Sequence, residues 1–313
     1  MIETALALQP LAGVEQVQPF DELVALALQT VAASSARVYA QTFAIWRAWC
    51  AANDMQPLDL RPRAVLAFLN AQNATKTTRQ RQLSALRKLA QMAYILDPNE
   101  DSRRIVESLK VVKAPTGGST GKERTKHALA PREADKVLRV WEAPTNTHRR
   151  NQALIAVLAL GALRRSEAAV LEWRDVDFEN GVVTVRHGKG DKAREVPLAG
   201  DFVLNTLHAW QMCQQTGRTF VFCPMEVKDH IGKDKAISGT DVYRIVKATE
   251  AVSGVEFKPH DLRRTFITEA LATGTPLATV QAAAGHARGE TTLRYAQAVD
   301  ARAARKTLKL RYG

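Results

Sequence analysis

Hydrophobic residues in the first third of the chain recur at helical spacing. One stripe, with intervals of four, three and four residues, is formed by Tyr39, Phe43, Trp46 and Cys50. These intervals place the side chains on one face of a helix, for which Ser34 or Ser35 is the expected N-cap. The alanine-rich stretch 24–33 also has a helical pattern. The first part of the chain is therefore predicted to consist of helices with apolar faces.

Two more helices are predicted before residue 112. Asp59 and Pro62 open the first, and its apolar residues lie between 65 and 69. The second begins near Thr77 or Thr78, and its inward positions are Leu83, Leu86, Ala90 and Ala93. Its start and outer face carry the basic residues Lys76, Arg79, Arg81, Arg87 and Lys88. Such a face can rest on DNA phosphates, although a solvated helix face accounts for the same charges equally well.

Residues 112–127 interrupt the hydrophobic pattern. This segment contains three glycines, one proline and four Lys or Arg residues, with almost no large apolar side chains. Such a composition is typical of a linker. We therefore predict a smaller helical domain over 1–111 and a larger domain over 128–313.

The C-terminal part combines helical patterns with one β interruption. After a turn over 175–181, β-branched residues alternate through 182–186, and a tight turn at 188–191 leads to a returning strand over 194–198. Helices are predicted over 129–141, 151–160, 202–216, 240–252, 261–272 and 277–284, with a basic tail helix over 300–310. The predicted fold class is mainly α with a small antiparallel β-sheet.

The net charge of the chain indicates a class of binding partner. The net charge of +12 favours a polyanion, most commonly nucleic acid, although a basic protein without such a partner has the same composition. No apolar run reaches the roughly 18 residues that a membrane span needs. The N-terminus lacks the basic start of a signal peptide, and the three cysteines form no paired motif. We therefore expect a cytoplasmic protein without a zinc site or a disulfide framework.

Four C-terminal segments contain residue types that suit phosphate chemistry. They are the 161–167 segment with Arg164 and Glu167, the hairpin turn with Lys189, the 259–264 segment with His260 and Arg263, and the 285–295 segment with His286 and Tyr295. Taken singly, each has an ordinary explanation, such as a surface ion pair, a solvated turn or a half-buried tyrosine. The sequence has no P-loop and no compact carboxylate cluster, which fits chemistry without ATP or a metal ion.

Taken together and in this order, these segments resemble the tyrosine recombinase family, which includes the phage integrases and the Xer and Cre recombinases. The matching stretches are GALRRSE, HGKGDKAREVPL, PHDLRRTF and the Gly-His pair whose histidine lies nine residues before Tyr295. The resemblance covers most of 128–300. The helical part over 1–111 is similar to the family's core-binding, SAM-like DNA-binding domain. The resemblance implies the two-domain tyrosine recombinase architecture, with a catalytic domain over 128–313 that ends in a docking tail.

The resemblance also assigns roles at the site. The implied catalytic set is Arg164, Lys189, His260, Arg263, His286 and the nucleophile Tyr295. In the family the tyrosine attacks phosphorus, which gives a 3′-phosphotyrosine and a free 5′-hydroxyl. Two guanidinium forks suit the non-bridging phosphate oxygens, because they are bidentate and permanently charged. Of the other groups, Lys189 resembles the general acid, His260 the proton acceptor for the tyrosine, His286 a hydrogen-bond donor to phosphate, and Glu167 an orienting group.

The implied partners are DNA and further copies of the chain. A tetramer would act on two inverted-repeat sites, with accessory proteins where they are required. The DNA-contact candidates are Lys76, Thr77, Arg79, Arg81 and Arg87 of the third helix, and Arg244. About 30 residues precede the first capped helix, too few for an arm-binding domain, so a Xer- or Cre-like layout is expected. The alternatives are a type IB topoisomerase-like enzyme and a DNA-binding regulator without catalysis.

Overall fold

Helices dominate both of the units into which the chain divides. The computed structural model describes residues 19–116, 128–142, 145–186, 193–285 and 292–293. Unit 1 is Met1–Arg124 and unit 2 is Thr125–Gly313. The division falls inside the segment 112–127, and the predicted domain bounds remain a prediction.

Five helices form the described part of unit 1. They are α1 (Pro19–Gln29), α2 (Ala33–Ala52), α3 (Pro62–Ala71), α4 (Lys76–Leu96) and α5 (Glu100–Val111). The predicted stripe on α2 is confirmed, because Phe43, Trp46 and Cys50 are fully buried and Tyr39 packs against the same cluster. The buried indole of Trp46 donates its N–H to the Pro57 carbonyl at 2.8 Å. This bond leaves the largest side chain of the core without an unpaired polar atom.

Two predicted helix caps in unit 1 are wrong. Helix α2 already begins at Ala33, so Ser34 and Ser35 lie inside its first turn. Alanine is the strongest helix former, which explains why the helix extends upstream of the serines. Helix α3 begins where predicted, but the Asp59 carboxylate accepts hydrogen bonds from the Arg61 guanidinium at 2.6 and 2.7 Å and does not cap the helix.

The sequence pattern does not predict α5. Leu109 is the only fully buried residue of this helix, and Ile105 and Val106 pack partly buried against the same cluster. Reciprocal hydrogen bonds fix its start: the Asn99 side chain accepts from the Ser102 N–H at 2.8 Å, and the Ser102 hydroxyl accepts from the Asn99 N–H at 3.2 Å. A serine replaces the usual Glu or Gln of this capping box, which hides the signal in the sequence.

The prediction that Arg79 and Arg87 lie on the outer face of α4 is wrong. Arg79 is only 4% exposed, and its Nη2 donates to the Gln72 carbonyl at 2.7 Å. Arg87 is half-buried and donates from Nη2 to the Val112 carbonyl at 2.6 Å. Gln72 and Val112 are the C-terminal caps of α3 and α5, where backbone carbonyls have no partner within the helix. Both arginines therefore donate hydrogen bonds to carbonyls at the ends of neighbouring helices.

Arg79→Ala is expected to lower the free energy of unfolding by about 1–3 kcal/mol, because the Gln72 carbonyl loses a buried donor. Arg81→Ala is the matched control on the same helix, where the side chain is exposed, and should cost less than about 0.5 kcal/mol. Urea unfolding of the full chain, followed by circular dichroism, measures both. Equal free energies of unfolding for the two variants would contradict a structural role of Arg79.

Unit 2 is built around one buried helix. The α-helices among its described residues are α6 (Pro131–Arg139), α7 (Asn146–Leu160), α8 (Arg165–Ala169), α9 (Asp201–Gln211), α10 (Gly239–Ser253), α11 (Pro259–Ala272) and α12 (Leu277–Ala284). Residues 153–158 of α7 are all fully buried, so this helix is apolar on every side and occupies the centre of the core. Within the described ranges, no helix has the length and hydrophobicity that crossing a membrane requires.

A three-stranded antiparallel sheet lies between α8 and α9 in the chain. Its strands, in the order β1-β2-β3, are Val176–Asp177, Val182–Val185 and Arg194–Pro197. Val183 pairs with Val196, and Val185 with Arg194. The fold class is confirmed as mainly α with a small antiparallel sheet. Strand β1 corrects the prediction of a turn over 175–181, because its two residues pair with β2 before the chain turns.

Two helices of unit 2 have other bounds than predicted. Helix α7 begins five residues earlier, at Asn146, where the distant Asp229 carboxylate accepts from the N–H groups of Asn146 and Thr147 at 2.6 and 2.7 Å. The Thr145 side chain also caps this start by accepting from the His148 N–H at 3.1 Å, a local signal that the prediction missed. Helix α9 ends at Gln211 rather than at 216. The predicted tail helix over 300–310 lies outside the described residues.

Candidate active site

A tight turn between α7 and α8 places Arg164 at the start of a helix. Gly161 follows α7 where a Cβ would lie 2.8 Å from both the Val157 carbonyl oxygen and a Leu198 side-chain carbon. Ala162 then adopts a left-handed backbone conformation with a φ of 50°. Arg164 is the N-terminal flanking residue of α8. The turn therefore fixes the backbone from which the Arg164 side chain extends.

Glu167 is a buried carboxylate that holds two guanidinium groups. Its side chain is 4% exposed. Its Oε1 accepts from Arg164 Nη1 at 2.7 Å and from Arg194 Nη1 at 2.9 Å. Its Oε2 accepts from Arg194 Nη2 at 2.8 Å and from the Arg164 backbone N–H at 2.7 Å. Arg194 thus forms a bidentate fork, the strongest geometry of an arginine–carboxylate pair, while Arg164 is held by side chain and backbone together.

Glu167 is ionised despite its burial. Loss of solvation by itself would raise the pKa of this carboxyl group. The hydrogen bonds from Arg194 and Arg164, together with the charge of Arg194, outweigh that effect and lower the pKa from 4.5 to about 2. The group therefore acts as a fixed acceptor at neutral pH and has no proton to donate.

The C-terminal end of α12 offers three consecutive backbone carbonyls, and each accepts from a different arginine. The pairs are Ala283 with Arg194 Nε, Ala284 with Arg263 Nη2, and Gly285 with Arg164 Nη2. The first and last of these bonds measure 3.2 and 2.7 Å. The last carbonyls of a helix lack partners within the helix and carry partial negative charge, so cations stabilise them. The arginines therefore hold the helix end that directly precedes His286.

Gly285 is required at this junction on two grounds. Its φ of +57° lies in the left-handed region that favours glycine. In addition, a Cβ would lie 2.7 Å from Arg194 Nε and 2.8 Å from Arg194 Cδ. Any side chain would push Arg194 away from the end of α12. The glycine of the Gly-His pair is thus explained by a residue that the sequence pattern did not single out.

Arg263 connects the C-terminal end of α12 with the turn before α8. It is 1% exposed, and its Nη1 donates to the Ala162 carbonyl at 2.5 Å while its Nη2 donates to the Ala284 carbonyl. Arg263 and Arg164 therefore donate to adjacent carbonyls at the end of α12. Two residues that are about 100 positions apart in sequence meet at one point of the fold.

His260 lies in the first turn of α11, and the same positive charges act on it. Its pKa is lowered from 6.5, first by partial loss of solvation and then by the charges of Arg264, Arg263 and Arg164, against the opposing charge of Asp261. The residue nevertheless remains exposed to solvent. Its imidazole is therefore neutral at pH 7 and able to accept a proton from a group that approaches from outside.

The structure unites one part of the predicted catalytic set. Of its six members, Arg164 and Arg263 meet at the end of α12, and the charges of these two arginines reach His260. The orienting candidate Glu167 binds Arg164. The remaining three, Lys189, His286 and Tyr295, lie outside the described residues. The individual roles of all these residues remain predictions.

The other DNA-contact candidates lie on exposed surfaces. Lys76, Thr77 and Arg81 are exposed on α4, near its N-terminal end. Arg244 is exposed on α10, where its Nη1 lies 3.2 Å from the Asp241 carboxylate. These four residues are open to an external partner, unlike Arg79. Their contact with DNA remains a prediction.

Sequence reasoning missed Arg194. In β3, Arg194 and Val196 point to the same face of the sheet, and Val196 is fully buried. A charged residue at an inward position of a strand needs a partner of opposite charge. That alternation is the signal in the sequence. It gives no indication that the partner is Glu167, 27 residues earlier in the chain.

Glu167→Gln is expected to lower the free energy of unfolding by about 3 kcal/mol at pH 7, because it leaves buried guanidinium charge uncompensated. A depressed carboxyl pKa contributes stability above its unfolded value near 4.5, and that stability is lost as pH falls towards the folded value of about 2. The gap between wild type and variant should therefore shrink by about 1 kcal/mol between pH 7 and pH 3.5.

Urea unfolding at the two pH values measures this gap. The control is Asp135→Asn, which removes an ion pair with Arg139 on the exposed face of α6 and should cost less than about 0.5 kcal/mol at either pH. A gap for Glu167→Gln that stays constant from pH 7 to pH 3.5 would contradict a carboxylate held ionised by the arginines.

Comparison with known proteins identifies the family. The model of the phage integrase family matches residues 128–302, which is more than half of the chain. The tyrosine recombinase XerA of Thermococcus kodakarensis is 28% identical over 218 residues, which cover 68% of this chain and 76% of that protein. The tyrosine recombinase XerC of Xanthomonas campestris pv. campestris is 29% identical over 296 residues, which cover 91% of this chain and 84% of that protein.

A solved structure shows the same fold. It is the XerH site-specific recombinase bound to palindromic difH substrate in a post-cleavage complex, with a TM-score of 0.69 and 20% identity over 92% of this chain and 85% of that chain. The matches in sequence and in fold confirm the resemblance that the four motifs indicated. The chain belongs to the phage integrase family and is a tyrosine-type site-specific DNA recombinase.

Proposed function

We propose that this recombinase cleaves and rejoins DNA through a covalent bond between Tyr295 and a 3′-phosphate, at the site organised by Arg164 and Arg263. The observation that carries the proposal is the convergence of these two arginines on adjacent carbonyls, with a neutral histidine under the influence of their charge. Preorganised guanidinium donors stabilise the charge that develops on a phosphodiester in the transition state.

The proposed step is a transesterification that consumes no nucleotide. The Oη of Tyr295 forms a bond to phosphorus while the bond from phosphorus to the 5′-oxygen breaks. The phenolic proton passes to His260, and Lys189 gives a proton to the departing 5′-oxygen. The phosphotyrosine keeps the energy of the ester bond, so a 5′-hydroxyl can attack it and reverse the step on a new strand.

Arg164 is the arginine that meets the phosphate first in this proposal. Its side chain is 27% exposed, whereas Arg263 is 1% exposed. A guanidinium has five N–H donors, so Arg164 retains donors beyond those that bind Glu167 and Gly285. Arg263 can contact the phosphate only with donors that the Ala162 and Ala284 carbonyls leave over. In comparable sites, loss of one such donor lowers the rate by about 10²–10³-fold.

The proposed assembly is a homo-tetramer on two copies of an inverted-repeat DNA site. Exchange between two duplexes cuts four strands, and each cut needs one tyrosine nucleophile. The net charge of +12 supports binding to DNA. Accessory proteins would determine which pairs of sites are joined. The implied place of action is the cytoplasm, and the nucleoid if the source is bacterial.

An apolar groove in unit 2 supports docking of a C-terminal tail. The groove has a volume of about 400 Å³, and among its lining residues are Leu138, Leu160, Phe266, Val280 and Ala283. The tail over 296–313 carries Leu308 and Leu310 among its basic residues. A tail from a neighbouring copy, seated in this groove by these leucines, would link the subunits of the tetramer.

Covalent capture tests the central proposal. The protein is incubated with fragmented DNA from its source in the presence of a chelator, denatured, and the linked fragments are sequenced. Wild type should yield adducts clustered at one inverted repeat, and Tyr295→Phe should yield none, because the variant lacks the attacking oxygen. Tyr312→Phe is the matched control near the C-terminus and should behave like wild type.

The other outcomes are equally informative. Adducts from Tyr295→Phe would remove Tyr295 as the nucleophile, and loss of adducts in Tyr312→Phe alone would transfer that role. Binding to DNA without adducts from wild type would favour a regulator without catalysis. Adducts at many unrelated sites, with relaxation of supercoiled DNA by a monomer, would favour a topoisomerase-like enzyme.

The pH dependence of cleavage tests the role of His260. The pKa of His260 in the protein without DNA lies below 6.5, so a base at this position stays competent as pH falls. At subsaturating DNA, where the rate reports the free protein, strand cleavage should therefore decline only below pH 6.5. His260→Asn should lower the single-turnover rate by about 10²-fold or more and remove the acidic decline. His230→Asn, an exposed histidine of the same unit, is the control. A midpoint of the wild-type decline at or above pH 6.5 would exclude His260 as the base.

A further inference from the structure

We propose that Arg194 is a positioning residue for strand cleavage, which neutralises Glu167 so that the charge of Arg164 remains available to the scissile phosphate. The inference rests on the proposed contact of Arg164 with phosphate. It assigns a function to a residue outside the six predicted catalytic positions.

Arg194 is directed into the protein. Its side chain is 12% exposed. Both of its Nη atoms donate to the Glu167 carboxylate, at 2.9 and 2.8 Å, and its Nε donates to the Ala283 carbonyl at 3.2 Å. Each guanidinium nitrogen therefore already donates to the protein, and little of the side chain is open to a substrate. We therefore assign its effect on the reaction to the groups that it holds.

The charges around Glu167 determine what Arg164 can do. Glu167, Arg164 and Arg194 together carry one net positive charge. Without Arg194, the carboxylate and Arg164 would form a neutral pair, and the phosphate would have to compete with Glu167 for the same guanidinium. Because the carboxylate is buried, solvent screens this competition only weakly. Arg194 thus leaves the positive charge of Arg164 for the reaction.

Arg194 also fixes the place of Arg164 relative to α12. Arg194, the first residue of β3, donates to the Ala283 carbonyl. Arg164 donates to the Gly285 carbonyl, two residues further along the chain. Gly285 has no Cβ at the point where Arg194 passes. Arg164 therefore lies between two groups. One is the Glu167 carboxylate, which Arg194 also binds, and the other is the carbonyl of Gly285, the residue that Arg194 passes. Small displacements of a reacting group can cost about 10²-fold in rate.

The test compares Arg194→Met with wild type on three versions of the site recovered by covalent capture. The first has the natural scissile phosphate. The second has a methylphosphonate there, in which a methyl group replaces one charged non-bridging oxygen. The third has sulfur in place of the 5′-bridging oxygen, so that the leaving group departs without a proton. Single-turnover adduct formation and DNA affinity are measured on each.

Arg194→Met should lower the cleavage rate on the natural phosphate by about 10²-fold with DNA affinity within a few-fold of wild type. On the methylphosphonate the deficit should fall below about tenfold, because that substrate lacks the charge that Arg164 neutralises. On the sulfur substrate the deficit should persist in full. The loss of cleavage rate in Arg164→Met should rank the three substrates in the same order as the loss in Arg194→Met. The double variant should lose little more than Arg164→Met alone, since both act through one guanidinium.

Two controls separate this role from a general loss of structure. Arg186→Met removes an ion pair with Asp175 at the end of the neighbouring strand β2, and should affect the three substrates equally. Arg194→Lys keeps the charge without the bidentate fork, and should recover part of the cleavage rate on the natural phosphate. Thermal unfolding of each variant shows whether a rate change accompanies a loss of stability.

Three results would overturn the inference. They are an Arg194→Met deficit that is equal on all three substrates, a deficit relieved only by the sulfur substrate, and cleavage at the wild-type rate. If wild type itself forms no adducts, the proposed chemistry fails and the positioning role fails with it. If wild type and Tyr295→Phe differ as proposed but Arg194→Met gives one of the three results, the positioning role alone is wrong.

Discussion

The buried carboxylate of Glu167 is the group on which the rest of the site depends. It is the shared partner of Arg164 and Arg194, and those arginines reach onward to the carbonyls at the end of α12. An ionised carboxylate is stable in such a place only when opposite charge and hydrogen bonds replace its lost solvation. Two guanidinium groups meet that requirement. The same condition that makes Glu167 stable therefore fixes both arginines in space.

The ends of helices explain why so many arginines of this chain face inward. A helix leaves its last carbonyls without partners, and a guanidinium satisfies them with both hydrogen bonds and charge. Arg79 and Arg87 serve α3 and α5 in this way in unit 1. At α12 in unit 2, three arginines do so. Part of the basic excess of the chain therefore belongs to the fold, and net charge alone overstates the surface that is left for DNA.

The sequence allowed prediction of whatever depends on local spacing. The stripe through Trp46, strand β2 and the fold class follow from periodicity, and the four motifs led to the family. The side-chain partners that escaped prediction come from other elements of the fold. The burial of Arg79 needs the end of α3, and that of Arg194 needs Glu167 of α8. A basic residue on a helix has the same pattern whether its guanidinium meets water, phosphate or a carbonyl.

Arg194 shows the same limit within the site itself. Its inward position in β3 follows from alternation, but its partner comes from another helix and its passage past Gly285 depends on a third element. A family motif names the residues that touch the substrate, and gives no account of the groups that hold them. The structure supplies that account through distances and burial.

The arginine cluster connects the two halves of the proposed chemistry. Partial loss of solvation lowers the pKa of His260 first, and the positive charges that suit a phosphate lower it further, so the imidazole is neutral before DNA arrives. A bound phosphodiester brings negative charge to the same place and offsets part of that field. In the proposed mechanism the pKa of His260 is therefore expected to rise in the complex, which makes the imidazole a stronger base when Tyr295 attacks. Charge complementarity with the substrate and activation of the nucleophile are thus consequences of one arrangement of guanidinium groups.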